Sequence, residues 1–130
     1  MGHFFSKGII ALESSKIGVD HQNSNSERRP MNIGLNETLS ILIPVYNEEG
    51  NLSMLYEKLM SALKKSGRPY EVIFVDDGSS DGTMEILLDL REKNPNVKIV
   101  SFSRNFGQTA ALSAGIDFSR GDMIIPMDGD

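Results

Sequence analysis

The sequence predicts an α/β domain built around a parallel sheet. Two observations carry that expectation. Short apolar, β-branched runs alternate with segments whose apolar residues recur at helical spacing, in the order β-α-β-α-β-α-β over residues 39–130. The run Val72-Ile73-Phe74-Val75 also ends directly on two carboxylates, Asp76 and Asp77, followed by a turn of Gly78, Ser79 and Ser80. A continuous apolar run bounded by turn residues suits a strand covered on both faces. Ligands of such sheets sit in the crevice beyond the carboxyl ends of the strands. Asp76 and Asp77 are therefore expected at the mouth of a cleft.

Residues 1–38 differ from the rest. The stretch HQNSNSERRP is polar and nearly free of apolar side chains, so 1–38 reads as a disordered or loosely attached arm. Phe4, Phe5, Ile9, Ile10 and Leu12 are expected to form a short amphipathic helix within it. Residues 39–45, LSILIPV, give the first strand of the domain proper, with Pro44 expected to mark its end because it lacks a ladder donor. Tyr46-Asn47-Glu48-Glu49-Gly50 is a loop. Leu52, Leu55, Tyr56, Leu59, Met60 and Leu63 then form one helical stripe over 51–66, with Lys64 and Lys65 suited to its C-terminal dipole and Gly67 to its C′ position. After the strand of Val72 to Val75 and its turn, a helix over 82–94 is expected, with Asp81 as its cap, Ile86, Leu87 and Leu90 inward, and Pro95 as its stop. A strand at 97–102, a helix at 106–118 rich in Ala, Ser and Gly, and a strand at 122–127 complete the order. Small residues in that helix predict close approach to its neighbours.

The formal charge of −5 is unevenly placed. Residues 1–38 are balanced at four basic and four acidic, whereas 39–130 hold nine basic and 14 acidic. That excludes a nucleic-acid platform, which needs a basic face. It leaves nucleotides open, because a divalent cation held by carboxylates bridges to phosphate. No cysteine is present, so disulfide and thiolate chemistry are excluded. No run reaches the roughly 18 apolar residues of a membrane span. HFFSKGIIAL lacks the basic start and apolar centre of a signal peptide.

The dinucleotide fingerprint G-x-G-x-x-G is absent after the first strand, and so is the phosphate loop G-x-x-x-x-G-K-[ST]. The first loop offers Tyr46, Asn47 and Glu48 instead. An aromatic ring can stack on a base, and carboxylates at 48 and 77 can accept from ring N–H groups. Phosphate handling falls to Asp128 and Asp130, one residue apart just past a strand, an arrangement suited to Mg2+ or Mn2+. With nine aspartates in the chain, an Asp-x-Asp pair is common by chance. Its place at a strand end is what raises it.

Taken together, ILIPVYNEEGNL, VIFVDDGSSDGT, SRNFGQTAALSAGID and GDMIIPMDGD resemble the N-terminal half of inverting family 2 glycosyltransferases. SRNFGQ favours the polyprenyl-phosphate branch, the dolichol-phosphate mannosyltransferase-like enzymes. The resemblance covers 39–130 and none of the arm. It implies a GT-A-like parallel sheet, incomplete because the chain ends at the D-x-D motif. It implies that Pro44, Tyr46 and Glu48 line a nucleoside pocket and that Val75 and Asp77 contact the base. Asp76 supports the loop. Asp128 and Gly129 meet the donor, and Asp128 and Asp130 hold Mg2+ or Mn2+. Residues 104–108 lie near the donor. The implied reaction moves a sugar from a UDP- or GDP-sugar to a polyprenyl phosphate, at the cytoplasmic face of the membrane in the full-length protein. The acceptor-binding and catalytic residues are expected beyond Asp130, so this stretch alone is expected to be inactive, with apolar surface and a sheet edge left uncovered. Two other classes stand beside this one: a non-catalytic α/β module without nucleotide affinity, and a nucleotidyltransferase. The latter is disfavoured because no Gly-rich basic loop follows the first strand.

Overall fold

The computed structural model describes residues 9–12 and 36–128. Its elements are β1 (Ile9–Leu12), β2 (Leu39–Val45), α1 (Leu52–Ser66), β3 (Tyr70–Asp76), α2 (Thr83–Lys93), β4 (Val97–Phe102), α3 (Gln108–Phe118) and β5 (Met123–Pro126). They form one sheet in the order β1-β4-β3-β2-β5. The four strands expected from the sequence are mutually parallel. β1 is an addition, antiparallel to β4 and running from Ile9 opposite Phe102 to Leu12 opposite Ile99.

The helical reading of Ile9, Ile10 and Leu12 is thereby corrected. β4 would otherwise carry an open edge of unpaired N–H and C=O groups, and a β-branched Ile-Ile pair suits a ladder better than a short isolated helix. Phe4, Phe5 and the polar stretch 21–30 lie outside the described residues.

Side chains alternate between the two faces of the sheet. Leu39, Ile41, Ile43 and Val45 of β2 join Val72, Phe74, Val97 and Ile99 under α1 and α2, which contribute Leu52, Leu59, Leu63 and Leu87. Leu42, Ile73, Val75, Val100 and Phe102 face the other way, against Ala111 and Ala114 of α3. A Cβ on Gly115 would lie 3.3 Å from Leu42 Cδ1 and 3.4 Å from Val75 Cγ2, so the α3 backbone rests close to the sheet, as its small residues predict. Gly67 ends α1 at φ 68°, with its N–H donating to the Leu63 carbonyl, as the sequence also predicts.

This layering follows from topology. The chain steps β2 to β3 to β4 in one direction, with both crossover helices on one face. It then returns from β4 to β5 on the far side of β2. A crossover of constant hand must place α3 on the opposite face. The reversal puts a topological switch point between β2 and β5, where open α/β sheets bind ligands.

At the opposite end of the strands lies a buried polar cluster that motif reading did not find. Glu71 is 7 % exposed at the head of β3. Its Oε1 pairs with Lys98 Nζ at 2.6 Å, and its Oε2 accepts from Ser40 Oγ at 2.5 Å and from the Arg120 N–H at 2.6 Å. Ser40 Oγ accepts in turn from the Gly121 N–H at 2.8 Å. Burial alone would push the Glu71 carboxyl up. The hydrogen bonds from Arg120, Lys98 and Ser40 and the Lys98 charge outweigh it and hold the group below its ordinary value. The cluster ties the α3–β5 connection to the feet of three strands.

Candidate functional site

The cleft begins with Pro44. The Leu42 carbonyl accepts from the Met127 N–H on the β5 side, and the Val45 carbonyl from the Asp77 N–H on the β3 side. Even-numbered β2 residues thus address β5, and Pro44 is the one that has no N–H to offer. Pairing with β5 stops at Leu42 opposite Pro126, whereas pairing with β3 continues to Val45 opposite Asp76. Pro44 therefore ends the strand on one side only, and the sheet parts there. The opening is a cleft of about 290 Å³ lined by Pro44, Val45, Tyr46, Glu48, Asp77, Gln108 and Asp128.

Its upper wall is two loops bonded to each other. Asn47 sits in the left-handed region at φ 50°, a conformation Asn tolerates better than most residues. In that geometry its N–H donates to Ser79 Oγ at 2.8 Å, and its Oδ1 accepts from the Ser80 N–H at 2.8 Å. The Glu48 N–H donates to Thr83 Oγ1 at 2.9 Å, and the Glu48 carboxylate accepts from Asn51 Nδ2 at 3.1 Å. Asp81 Oδ1 accepts from the Thr83 N–H and hydroxyl at 2.9 and 2.6 Å, which satisfies an orphan donor at the start of α2 and lowers the Asp81 pKa.

Asp77 organises the other wall. Its carboxylate accepts from the N–H groups of Phe106 at 2.7 Å and Gly107 at 3.0 Å, and from Asn105 Nδ2 at 3.1 Å. These bonds hold 105–107 as a loop, which is why α3 starts at Gln108 rather than at Phe106 as the sequence suggests. Gly78, at φ 79°, lies directly beneath: a Cβ there would fall 2.3 Å from the Arg104 carbonyl carbon. Phe106 packs edge-to-face on Phe102 at 5.4 Å, and the Arg104 guanidinium lies 4.3 Å from the Phe106 ring centre.

Of the residues singled out in the sequence, Pro44, Tyr46, Glu48, Asp77 and Asp128 converge on this cleft. Val75 does not line it; it is buried against α3. Asp76 is also buried, with Oδ1 accepting from the Ser79 N–H at 3.1 Å, the loop-supporting place expected of it. Burial pushes its carboxyl above the ordinary value, against the Ser79 hydrogen bond. Val45 and Gln108 were not assigned individual roles from sequence; Gln108 was legible only as part of SRNFGQ. Gly129 and Asp130 lie outside the described residues. Asp128 is exposed, and its carboxylate accepts no hydrogen bond from a described residue, so a hard oxygen donor is available at the strand end. Among the described residues, no three His, Cys, Asp or Glu side chains come together as a metal cluster.

Comparison with known proteins gives a consistent result. The sequence model described as Glycosyl transferase family 2 matches residues 40–130. The chain is 50% identical over 92 residues to an uncharacterized glycosyltransferase of Synechocystis sp., covering 71% of this chain and 29% of that protein. It is 43% identical over 93 residues to the undecaprenyl-phosphate 4-deoxy-4-formamido-L-arabinose transferase of Photorhabdus laumondii, again 71% of this chain and 29% of the relative. The chain thus spans less than a third of the length of these curated relatives. Among solved structures, S. aureus TarS 1-349 in complex with UDP-GlcNAc aligns at TM-score 0.59 with 26% identity, covering 72% of this chain and 26% of that one. A Pyrobaculum calidifontis mannosyltransferase, in complex with GDP-Man and Mn2+, aligns at TM-score 0.58 with 22% identity, over 79% and 31% of the two chains, and shows the shared GT-A fold.

Proposed function

The chain belongs to glycosyl transferase family 2, and from that premise we propose that its cleft receives the nucleoside diphosphate of a sugar donor, in an enzyme that transfers the sugar to a polyprenyl phosphate at the cytoplasmic face of a membrane. The observation that carries this reading is the convergence of Tyr46, Glu48, Asp77, Gln108 and Asp128 at the switch point between β2 and β5. The polyprenyl phosphate is supported by the named activity of the Photorhabdus relative.

Each residue then has a part to play. Tyr46, 47 % exposed at the rim, offers a ring face to a base. Glu48, oriented by Asn51, is an acceptor for ring N–H groups. Asp77 holds the wall formed by 105–107 and shows the pocket a buried acid edge. Asp128, with Asp130, would hold a divalent cation together with oxygens of the donor diphosphate. That ion would neutralise charge developing on the departing nucleoside diphosphate.

Calorimetric titration with UDP and GDP, with and without Mn2+, tests the reading. One of the two should bind, at least tenfold more tightly with Mn2+, and Asp128→Asn should remove most of that gain. Equal affinity with and without the ion would refute the metal assignment, and no binding of either nucleotide would favour a non-catalytic α/β module.

A further inference from the structure

The four loops at the carboxyl ends of β2 to β5 carry Glu48, Glu49, Asp77, Asp81 and Asp128 against a single cation among the described residues, Arg104. Every other Lys or Arg described lies on a helix, on β4 at its opposite end, or in a connection at the far end of the strands. Arg104 is also held in place with its chemistry unused. Its backbone rests on Gly78, and the two residues after it are bonded to Asp77. Its guanidinium lies over Phe106, itself propped on Phe102. That contact is with a ring, and the guanidinium N–H donors make no hydrogen bond or ion pair to a described residue. A guanidinium resting on an aromatic ring, with donors that no described residue takes, on an otherwise acidic rim has the chemistry that suits a phosphate oxyanion.

We propose that Arg104, the one cation of these loops among the described residues, binds a phosphate group of one of the two substrates. This rests on the donor cleft proposed above. The phosphate is either the donor's diphosphate or the acceptor's lipid phosphate. Phe106, 40 % exposed beside Arg104, leaves apolar surface that suits either a ribose or a prenyl chain.

The experiment compares wild type with Arg104→Gln and Arg104→Lys. Each is titrated with the nucleoside, with the nucleoside diphosphate and Mn2+, and with a short-chain polyprenyl phosphate in detergent. If the donor phosphate is the partner, Arg104→Gln should lose about tenfold or more in diphosphate affinity with nucleoside affinity unchanged. If the acceptor phosphate is the partner, the loss should appear only with the polyprenyl phosphate. Arg104→Lys should fall between, since it keeps the charge but not the fork. Unchanged affinity for both phosphates in Arg104→Gln would overturn the proposal. Failure of the wild type to bind any nucleotide would instead sink the donor-cleft reading and the donor arm of this proposal with it; polyprenyl phosphate binding lost in Arg104→Gln would then carry the acceptor arm alone, and binding of neither phosphate by the wild type would overturn both arms.

Discussion

Replacing Gly78 by alanine is expected to lower the unfolding free energy by about 3 kcal/mol and to weaken nucleotide binding with it. Two effects add. At φ 79° an L side chain is strained, and the new Cβ would overlap Arg104 and Asn105 backbone atoms, which cannot rotate away as a side chain could. The 104–107 loop would have to lift, loosening its bonds to Asp77. For a domain of this size the loss corresponds to about 10–20 °C in melting temperature. Gly50→Ala is the control: its Cβ meets nothing within 4 Å and its φ is not in the left-handed region, so its effect should stay within about 0.5 kcal/mol. Calorimetry of both variants checks the claim. Equal, small shifts would mean that the 104–107 loop does not rest on Gly78.

Lys98→Met should cost about as much, roughly 3 kcal/mol, by a different route. It leaves Glu71 buried with its bonds from Ser40 and Arg120 but without its cation. The double variant Glu71→Gln/Lys98→Met should recover much of the loss, because it removes the stranded charge. The pH dependence has a definite sign. The folded Glu71 carboxyl titrates below its ordinary value, so its stabilisation is present above that ordinary value of 4.5 and is lost as pH falls through the lower folded one. Asp76 runs the other way: its folded carboxyl is raised, so its contribution is present below the ordinary value and fades as pH climbs through the raised one. The Glu71 component is therefore read as the difference between wild type and Glu71→Gln melting curves from pH 6 to pH 3. Parallel curves would contradict it.

The sequence made the domain's strands legible because each is covered on both faces and reads as a bounded apolar run. The first helix was equally clear: Leu52, Leu59 and Leu63 are buried, and Leu55, Tyr56 and Met60 pack at the margin. β1 was hidden because a four-residue strand in a polar arm owes its form to the free edge of β4, which no local pattern encodes. The late start of α3 was hidden for a related reason. Asp77, some 30 residues earlier, claims the N–H groups of Phe106 and Gly107. Ser40, Glu71 and Lys98 meet through strand register, so their cluster was invisible until β2, β3 and β4 were aligned. Most of the cleft was legible because strand-end residues in a parallel sheet share one side. Val75 shows the limit of that rule, since a residue one step before the strand's last turns toward the helix layer instead.

The most direct test of the donor cleft is amide chemical-shift mapping of the chain titrated with UDP or GDP in the presence of Mg2+. The account predicts that the largest shifts fall on Tyr46, Glu48, Asp77, residues 104–108 and Asp128, and that the Glu71–Lys98 end of the sheet stays unmoved. Shifts confined to the opposite end of the strands, or spread evenly over the surface, would contradict it.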